Sequence, residues 1–180
     1  MDGCPETPST VLENPSAAEN DYFGHGLEVA RDLDADGFAD LVVSSNSHAG
    51  TVADEGAAYF YRGGTGGVEG EPFLTIENPD GEVGARFGDP IGSPGDLNGD
   101  GFDDVVMGTH IADAAGTGKA YVFFGDADDL VDGSFTRIAD PEDDDASDHV
   151  FGFSLAGLSD VDLDGFDDFA VAGKNGGVEA

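Results

Sequence analysis

The chain is poor in several residue types, and each shortage narrows its reading. There is no tryptophan and a single cysteine, Cys4, so no internal disulfide can form. Proline is scarce, 8 residues against 29 glycines, which favours turns between short strands over a disordered tail. No apolar run approaches the ~18 residues of a membrane-spanning helix. Basic residues are the greatest shortage. Lys119 and Lys174 are the only lysines, and Lys and Arg together number 6 against 39 Asp and Glu, a net charge of -33. This argues against nucleic acid as a partner, because phosphate is repelled and no basic patch exists to release counterions. Met1 leads into Asp-Gly-Cys without the basic and apolar regions of an export signal. None is expected in this stretch, and Cys4 is read as an incidental tail residue, the alternative being a lipidated cysteine left after truncation of an export signal.

With 180 residues and 39% hydrophobic content, the chain can build one domain with a core. Aspartate outnumbers glutamate, 28 to 11. Eleven of the aspartates fill the metal-ligand positions of the loops described next, which still leaves 22 excess negative charges. That remainder suits a solvated surface in a salt-rich or calcium-rich setting, where screening weakens self-repulsion, as in a halophilic or marine source.

The chain repeats itself. Phe23-Gly24, Phe87-Gly88 and Phe151-Gly152 recur at a constant spacing of 64, as do aspartate clusters beginning at Asp32, Asp96 and Asp160. "LENP" (12–15), "IENP" (76–79) and "IADP" (138–141) precede each Phe-Gly. "EGAAYFY" (55–61) and "TGKAYVF" (117–123) follow the first two clusters, and the third copy reaches "NGGVEA" where its aromatic strand should begin. Each unit reads as β: "LEVARDL" (27–33), "DLVVSS" (40–45), "AAYFYR" (57–62) and "PFLTIE" (72–77), separated by turn clusters. Four short strands per unit is the pattern of a propeller blade. A β-sandwich, the rival all-β reading, does not require three copies of one motif.

The clusters align as "DLDADGFAD" (32–40), "DLNGDGFDD" (96–104) and "DVDLDGFDD" (160–168). Positions 1, 3, 5 and 9 are Asp32, Asp34, Asp36 and Asp40; Asp96, Asn98, Asp100 and Asp104; Asp160, Asp162, Asp164 and Asp168. Calcium takes six to eight oxygen ligands, and alternating carboxylates on a tight turn supply them. Glycine at position 6 permits the bend. Phe38, Phe102 and Phe166 at position 7 are expected to give backbone carbonyls and to bury their rings. A helix–loop–helix calcium site needs a glutamate at position 12. Val43, Met107 and Val171 stand there instead, and no amphipathic helix flanks the loops. Each loop is therefore expected to close an antiparallel hairpin and to bind calcium, up to three Ca2+ in all. Acidic β-turns without metal are the plain alternative. Three copies in phase, each crowding carboxylates that repel without a cation, favour metal.

Phe-Gly, then DxDxDGxxD, then a Gly-Ala aromatic strand (Gly56-Ala57-Ala58-Tyr59, and Gly118-Lys119-Ala120-Tyr121) resembles the FG-GAP repeat of integrin α-subunit propellers and of bacterial secreted proteins. The resemblance covers about residues 10 to 180. It implies an all-β fold of four-stranded β-propeller blades, fewer than three here, with calcium in the hairpin loops stiffening them. It implies that protein ligands are met by loops on the face away from the calcium sites. Residues 10 to 15 would be the last strand of a preceding blade. The expected organisation is a disordered tail at 1–9 and repeats at 10–73, 74–135 and an incomplete 136–180. Since a propeller needs at least four blades, further repeats, or another chain completing the sector, are expected.

Little else points to chemistry. His25, His48, His110 and His149 share no ligand spacing, and "DPEDDDASD" (140–148) reads as a solvated acidic loop. Ser44, Ser45, Ser47 and Ser154 lack a nucleophile-elbow context. "GGTGGVEG" (63–70) opens no helix, so it is no phosphate cradle. No enzyme activity is expected of this chain. It reads as a calcium-stabilised adhesion or interaction module, secreted or at the cell surface, with an unidentified protein or glycan ligand and no membrane span. The alternative is the accessory propeller of an exported enzyme whose catalytic part lies elsewhere.

Overall fold

The computed structural model describes residues 10–109, 118–127, 130, 135–138, 140 and 149–175. The tail at 1–9 with Cys4, His110, most of the acidic stretch 140–148, and residues 176–180 lie outside the described residues. Among the described residues, ten strands form three antiparallel sheets. The first holds β1 (Phe23–Arg31), β2 (Asp40–Ser45), β3 (Ala57–Tyr61) and β4 (Leu74–Glu77), in that order. The second holds β5 (Phe87–Gly95), β6 (Asp104–Thr109), β7 (Ala120–Phe123) and β8 (Phe135–Ile138). The third pairs β9 (His149–Ser159) with β10 (Asp168–Asn175). Each strand bonds to the next in sequence, and the first strands of successive sheets, β1, β5 and β9, lie against one another in order. This is the meander and stacking of consecutive β-propeller blades. No helix occurs among the described residues, and none is long and apolar enough to cross a membrane.

The apolar runs at β2 and β3 follow from burial on both faces. Val42, Ala58 and Phe60 join Phe87, Met107, Tyr121 and Phe123 in a core between the first two blades. Val43, Ala57, Tyr59 and Tyr61 face the other way, where Leu12, Phe23 and Val68 cover them. A sheet covered on both sides loses the in–out alternation of polarity. One aromatic contact recurs. Phe23 packs edge-on against Tyr59, and Phe87 against Tyr121, each at 5.7 Å between ring centroids. The Phe of Phe-Gly thus seats on the tyrosine of its own blade's third strand.

The glycines of the two motifs answer to the next blade. Gly24, Gly88 and Gly152 all hold positive φ, 85°, 84° and 81°. A Cβ on Gly88 would stand 2.7 Å from the Cβ of Ser44 in the blade before it, and one on Gly152 would overlap the carbonyl of Lys119. A Cβ on Gly56 would overlap the backbone N and O of Phe87, and one on Gly118 the carbonyl of Phe151. Phe-Gly of one blade therefore rests on the Gly-Ala stretch of the blade before, backbone against backbone. The Phe87 N–H donates to Glu55 O at 2.9 Å across this seam.

Two expectations are corrected. Residues 10–15 form no strand. Their repeat equivalents in β4 and β8 pair with the third strand of their own sheet, β3 and β7. The stretch 10–15 has no such partner, and it lies along the first sheet instead: Leu12 packs on the outer face and Thr10 Oγ1 donates to Val68 O at 2.9 Å. The second correction concerns the phenylalanine rings at loop position 7. Phe38 and Phe166 are 38% and 44% exposed. Their loops stand beyond the sheet ends, clear of either core. The ring of Phe166 lies over Gly99 of the neighbouring loop, where a Cβ would come within 2.6 Å of it.

Two of the few basic residues, Lys119 and Arg137, meet at the link between the first two blades. Asp80 accepts from Lys119 Nζ at 2.8 Å, Arg137 Nη1 at 3.1 Å and Tyr121 OH at 3.1 Å, and Lys119 also meets Glu82. Burial alone would raise the Asp80 carboxyl, but these three donors hold it below the usual carboxylate range.

Candidate metal centre

Each aspartate loop joins the first two strands of its sheet. The closing register pairs are Arg31 with Asp40, Gly95 with Asp104, and Ser159 with Asp168. The three loops share one backbone path. Position 4 is left-handed in all of them (Ala35, Gly99 and Leu163, φ 57°, 77° and 64°), and so is position 6 (Gly37, Gly101 and Gly165, φ 91°, 94° and 100°). The left-handed position 6 is what the glycine permits. Position 4 tolerates alanine and leucine at some strain.

Side chains fold each loop around its own backbone. The carboxylate at position 1 accepts two successive amides: Asp36 and Gly37 onto Asp32, Asp100 and Gly101 onto Asp96, Asp164 and Gly165 onto Asp160, at 2.8–3.2 Å. Position 3 (Asp34, Asn98, Asp162) accepts from the amide at position 5, and position 5 (Asp36, Asp100, Asp164) from the amide of Phe38, Phe102 or Phe166. Position 9 reaches back across the hairpin. Asp40 accepts from Leu33 and Gly63, Asp104 from Leu97 and Gly125, and Asp168 from Val161.

This folding brings carboxylates together. Oxygens of Asp32, Asp34 and Asp40 lie within 4.8 Å of one another, and so do those of Asp160, Asp162 and Asp168. Asp36 and Asp164 stand outside these clusters. In the second loop Asn98 replaces the middle carboxylate, and its Nδ2 donates to Asp100 Oδ2 at 2.8 Å. The residues fit a hard divalent cation. Three acidic oxygens converge with no basic group enclosed among them, although Arg62 Nε approaches Asp34 Oδ2 from one side at 3.6 Å. Asp40 and Asp104 are 3% and 0% exposed. Burial pushes the Asp104 carboxyl up to about 6, and the charges of Asp100 and Asp96 push the same way against the Leu97 and Gly125 amides. Burial, with Asp34 and Asp36 adding to it, likewise raises Asp40. A cation in the loop would reverse that direction.

Position 8 carried no expected role. In the second and third loops it is Asp103 and Asp167, and each binds the preceding loop. Asp32 N donates to Asp103 Oδ2 at 3.0 Å while Asp103 N donates to Asp32 O at 3.2 Å. Asp96 N donates to Asp167 Oδ2 at 3.1 Å while Asp167 N donates to Asp96 O at 2.9 Å. The first loop has Ala39 at this position. The only sequence signal was Asp at position 8 in two copies.

The histidines form no shared site among the described residues. His48 Nδ1 stands 3.2 Å from Asp21 Oδ2 and its Nε2 3.6 Å from Glu77 Oε1, while His25 faces Asp89 at 3.5 Å. At the strand ends opposite the aspartate loops, Tyr22, His25, Asn46, Ser47 and Arg86 line a cavity of about 200 Å³.

Comparison with known proteins agrees with the repeat pattern. The FG-GAP repeat family profile matches residues 90–123. Integrin alpha-PS3 of Drosophila melanogaster is 35% identical over 159 residues, 86% of this chain and 14% of its own length. Integrin alpha-PS5 of the same species is 37% identical over 165 residues, covering 89% and 15%. Integrin alpha-5 of Xenopus laevis is 32% identical over 162 residues, covering 83% and 14%. The chain spans about one-seventh of the length of these curated relatives.

Proposed function

Because the chain is an FG-GAP repeat protein, integrin α-like over most of its length, we propose that it is a calcium-stiffened β-propeller module for protein–protein contact or adhesion, secreted or displayed at the cell surface, and not an enzyme. The repeats are 10–73, 74–135 and 136–180, within a longer array. Asp32, Asp34, Asp36 and Asp40, with the Phe38 carbonyl, hold one Ca2+. Asp96, Asn98, Asp100, Asp104 and the Phe102 carbonyl hold a second, and Asp160, Asp162, Asp164, Asp168 and the Phe166 carbonyl a third. The observation that carries this reading is one hairpin-loop path in three sheets, with acidic oxygens converging within 4.8 Å in two of them. The calcium supplies the charge that lets buried Asp40 and Asp104 stay ionised at the blade ends. The partner, a protein or a glycan, is met at the opposite ends of the strands, near Tyr22, His25 and Arg86.

Calcium titration of the chain is expected to give three sites with dissociation constants of roughly 10⁻⁴ to 10⁻³ M, the range of extracellular modules. Replacing both Asp100 and Asp104 with alanine should remove one of the three. Unchanged stoichiometry in that variant would show the ligand assignment to be wrong.

A pH dependence follows from Asp104. Its carboxyl is held to about 6 in the metal-free fold, above the ordinary value of 3.8. A folded-state value raised in this way means the folded chain holds the proton more tightly than the unfolded one. Stability is therefore lost as pH rises from 4 through 6. Metal-free chain should gain ~1 kcal/mol from this group on going from pH 7 to pH 5. The calcium-bound chain should lose stability over the same interval, because protons then compete with the ion. Urea melts at both pH values, with Asp104→Asn as reference, read the effect. An identical pH response in the Asn variant would remove Asp104 from the explanation.

A further inference from the structure

The calcium loops are joined to one another by the aspartates at position 8. We infer that Asp103 and Asp167 are positioning residues for calcium binding in the blade before their own, so that the first and second sites each depend on a residue from the next repeat. The inference rests on the calcium reading above.

The geometry is the same at both seams. Asp103 brackets the Asp32 peptide, accepting its N–H at 3.0 Å and donating to its carbonyl at 3.2 Å. Asp167 brackets the Asp96 peptide at 3.1 and 2.9 Å. Asp32 and Asp96 occupy position 1, whose carboxylates already hold two amides of their own loop. Fixing that peptide fixes where the first carboxylate points. Space is reserved for the contact at the second seam, since a Cβ on Gly95 would overlap the Asp167 carboxylate. Position 8 also lies between two ligand positions of its own loop, Phe102 and Asp104 or Phe166 and Asp168. Ordering one loop therefore orders the next. Partners that orient a metal ligand are commonly worth 10–100-fold in affinity, and a paired backbone contact acts by the same preorganisation.

The test uses the 180-residue chain with Asp100→Ala, Asp104→Ala, Asp162→Ala and Asp168→Ala, which removes carboxylates from the second loop and from the converging cluster of the third and leaves the first loop as the calcium site. Calcium titration by calorimetry is then repeated with Asp103→Ala and Asp103→Asn added. Alanine removes both the acceptor and the charge. Asparagine removes the charge but keeps a carbonyl oxygen to accept the Asp32 amide. The expected result is about tenfold weaker binding with alanine and nearly unchanged binding with asparagine, although neither substitution replaces a ligand of the first loop. Equal affinity in all three chains would overturn the inference. An asparagine variant as weak as alanine would assign the effect to charge and overturn it too. If the first-loop chain binds no calcium, the calcium reading itself fails and this inference falls with it. Should Asp103→Ala not fold, amide exchange in the first-loop chain decides. Calcium is expected to slow exchange at Asp103, in the metal-free second loop, and no change there would contradict the coupling.

Discussion

Gly56→Ala is expected to destabilise the protein by roughly 3 kcal/mol or more, among the largest effects of any single methyl in the chain. Two causes combine. Gly56 holds φ at 86°, a region costly for a residue with a side chain. The added Cβ would also overlap the backbone N and O of Phe87, in the first strand of the next blade. Phe87 cannot readily retreat, because its N–H is committed to Glu55 O and its ring sits between Tyr121 and Phe123. For a chain of this size the loss should lower the melting temperature by about 10 °C. Gly24→Ala is the internal control. It has a matching positive φ, 85°, but nothing lies within 4 Å of its Cβ position. It should cost only ~1–2 kcal/mol, from backbone strain alone. Chemical denaturation of the two variants separates strain from blade contact. Equal losses would mean that the seam between Phe-Gly and Gly-Ala contributes nothing to stability.

That seam explains why the two motifs recur together. Phe-Gly and the Gly-Ala stretch lie about thirty residues apart in one repeat, yet their glycines meet across a boundary between repeats. Hairpins were legible because their signals are local. Val43 and Met107 at position 12 sit in buried strands, so the loops close hairpins, as the apolar residues there implied. The four strands of a repeat followed from short turn-bounded runs. What lay beyond reading were contacts that depend on how blades stack. Asp103 and Asp167 look like surplus acid in the sequence, and only stacking shows that they grip Asp32 and Asp96. The rings of Phe38 and Phe166 were expected to be buried because aromatic residues usually are, but the loops carry them past the end of the core. The stretch 10–15 copies a strand in sequence yet forms none, because a strand needs a neighbour as well as a pattern. The cluster of Lys119, Arg137 and Tyr121 around Asp80 joins residues far apart in sequence with no periodicity to announce it.

Removal of calcium is the second change with a large expected effect. Each loop gathers carboxylates, two of them buried at position 9, within a chain of net charge -33. An ion that binds the folded loop and not the unfolded chain adds RT ln(1 + [L]/Kd). At ten to a hundred times Kd, three sites would supply roughly 4–8 kcal/mol. In a chain of this length that is a melting-temperature rise on the order of 10–20 °C. Generic screening of the acidic surface also stabilises, so the ion's identity must be separated from its charge. Magnesium carries the same charge but prefers small octahedral, water-rich sites over protein cages of carboxylates.

The direct measurement is the melting temperature of the chain in low-salt buffer with chelator, with excess magnesium, and with the same concentration of calcium. The loops described here predict a rise on the order of 10 °C or more in calcium and a much smaller one in magnesium. Equal rises in the two ions, or none in either, would contradict the assignment of the three aspartate loops as calcium staples of the blades.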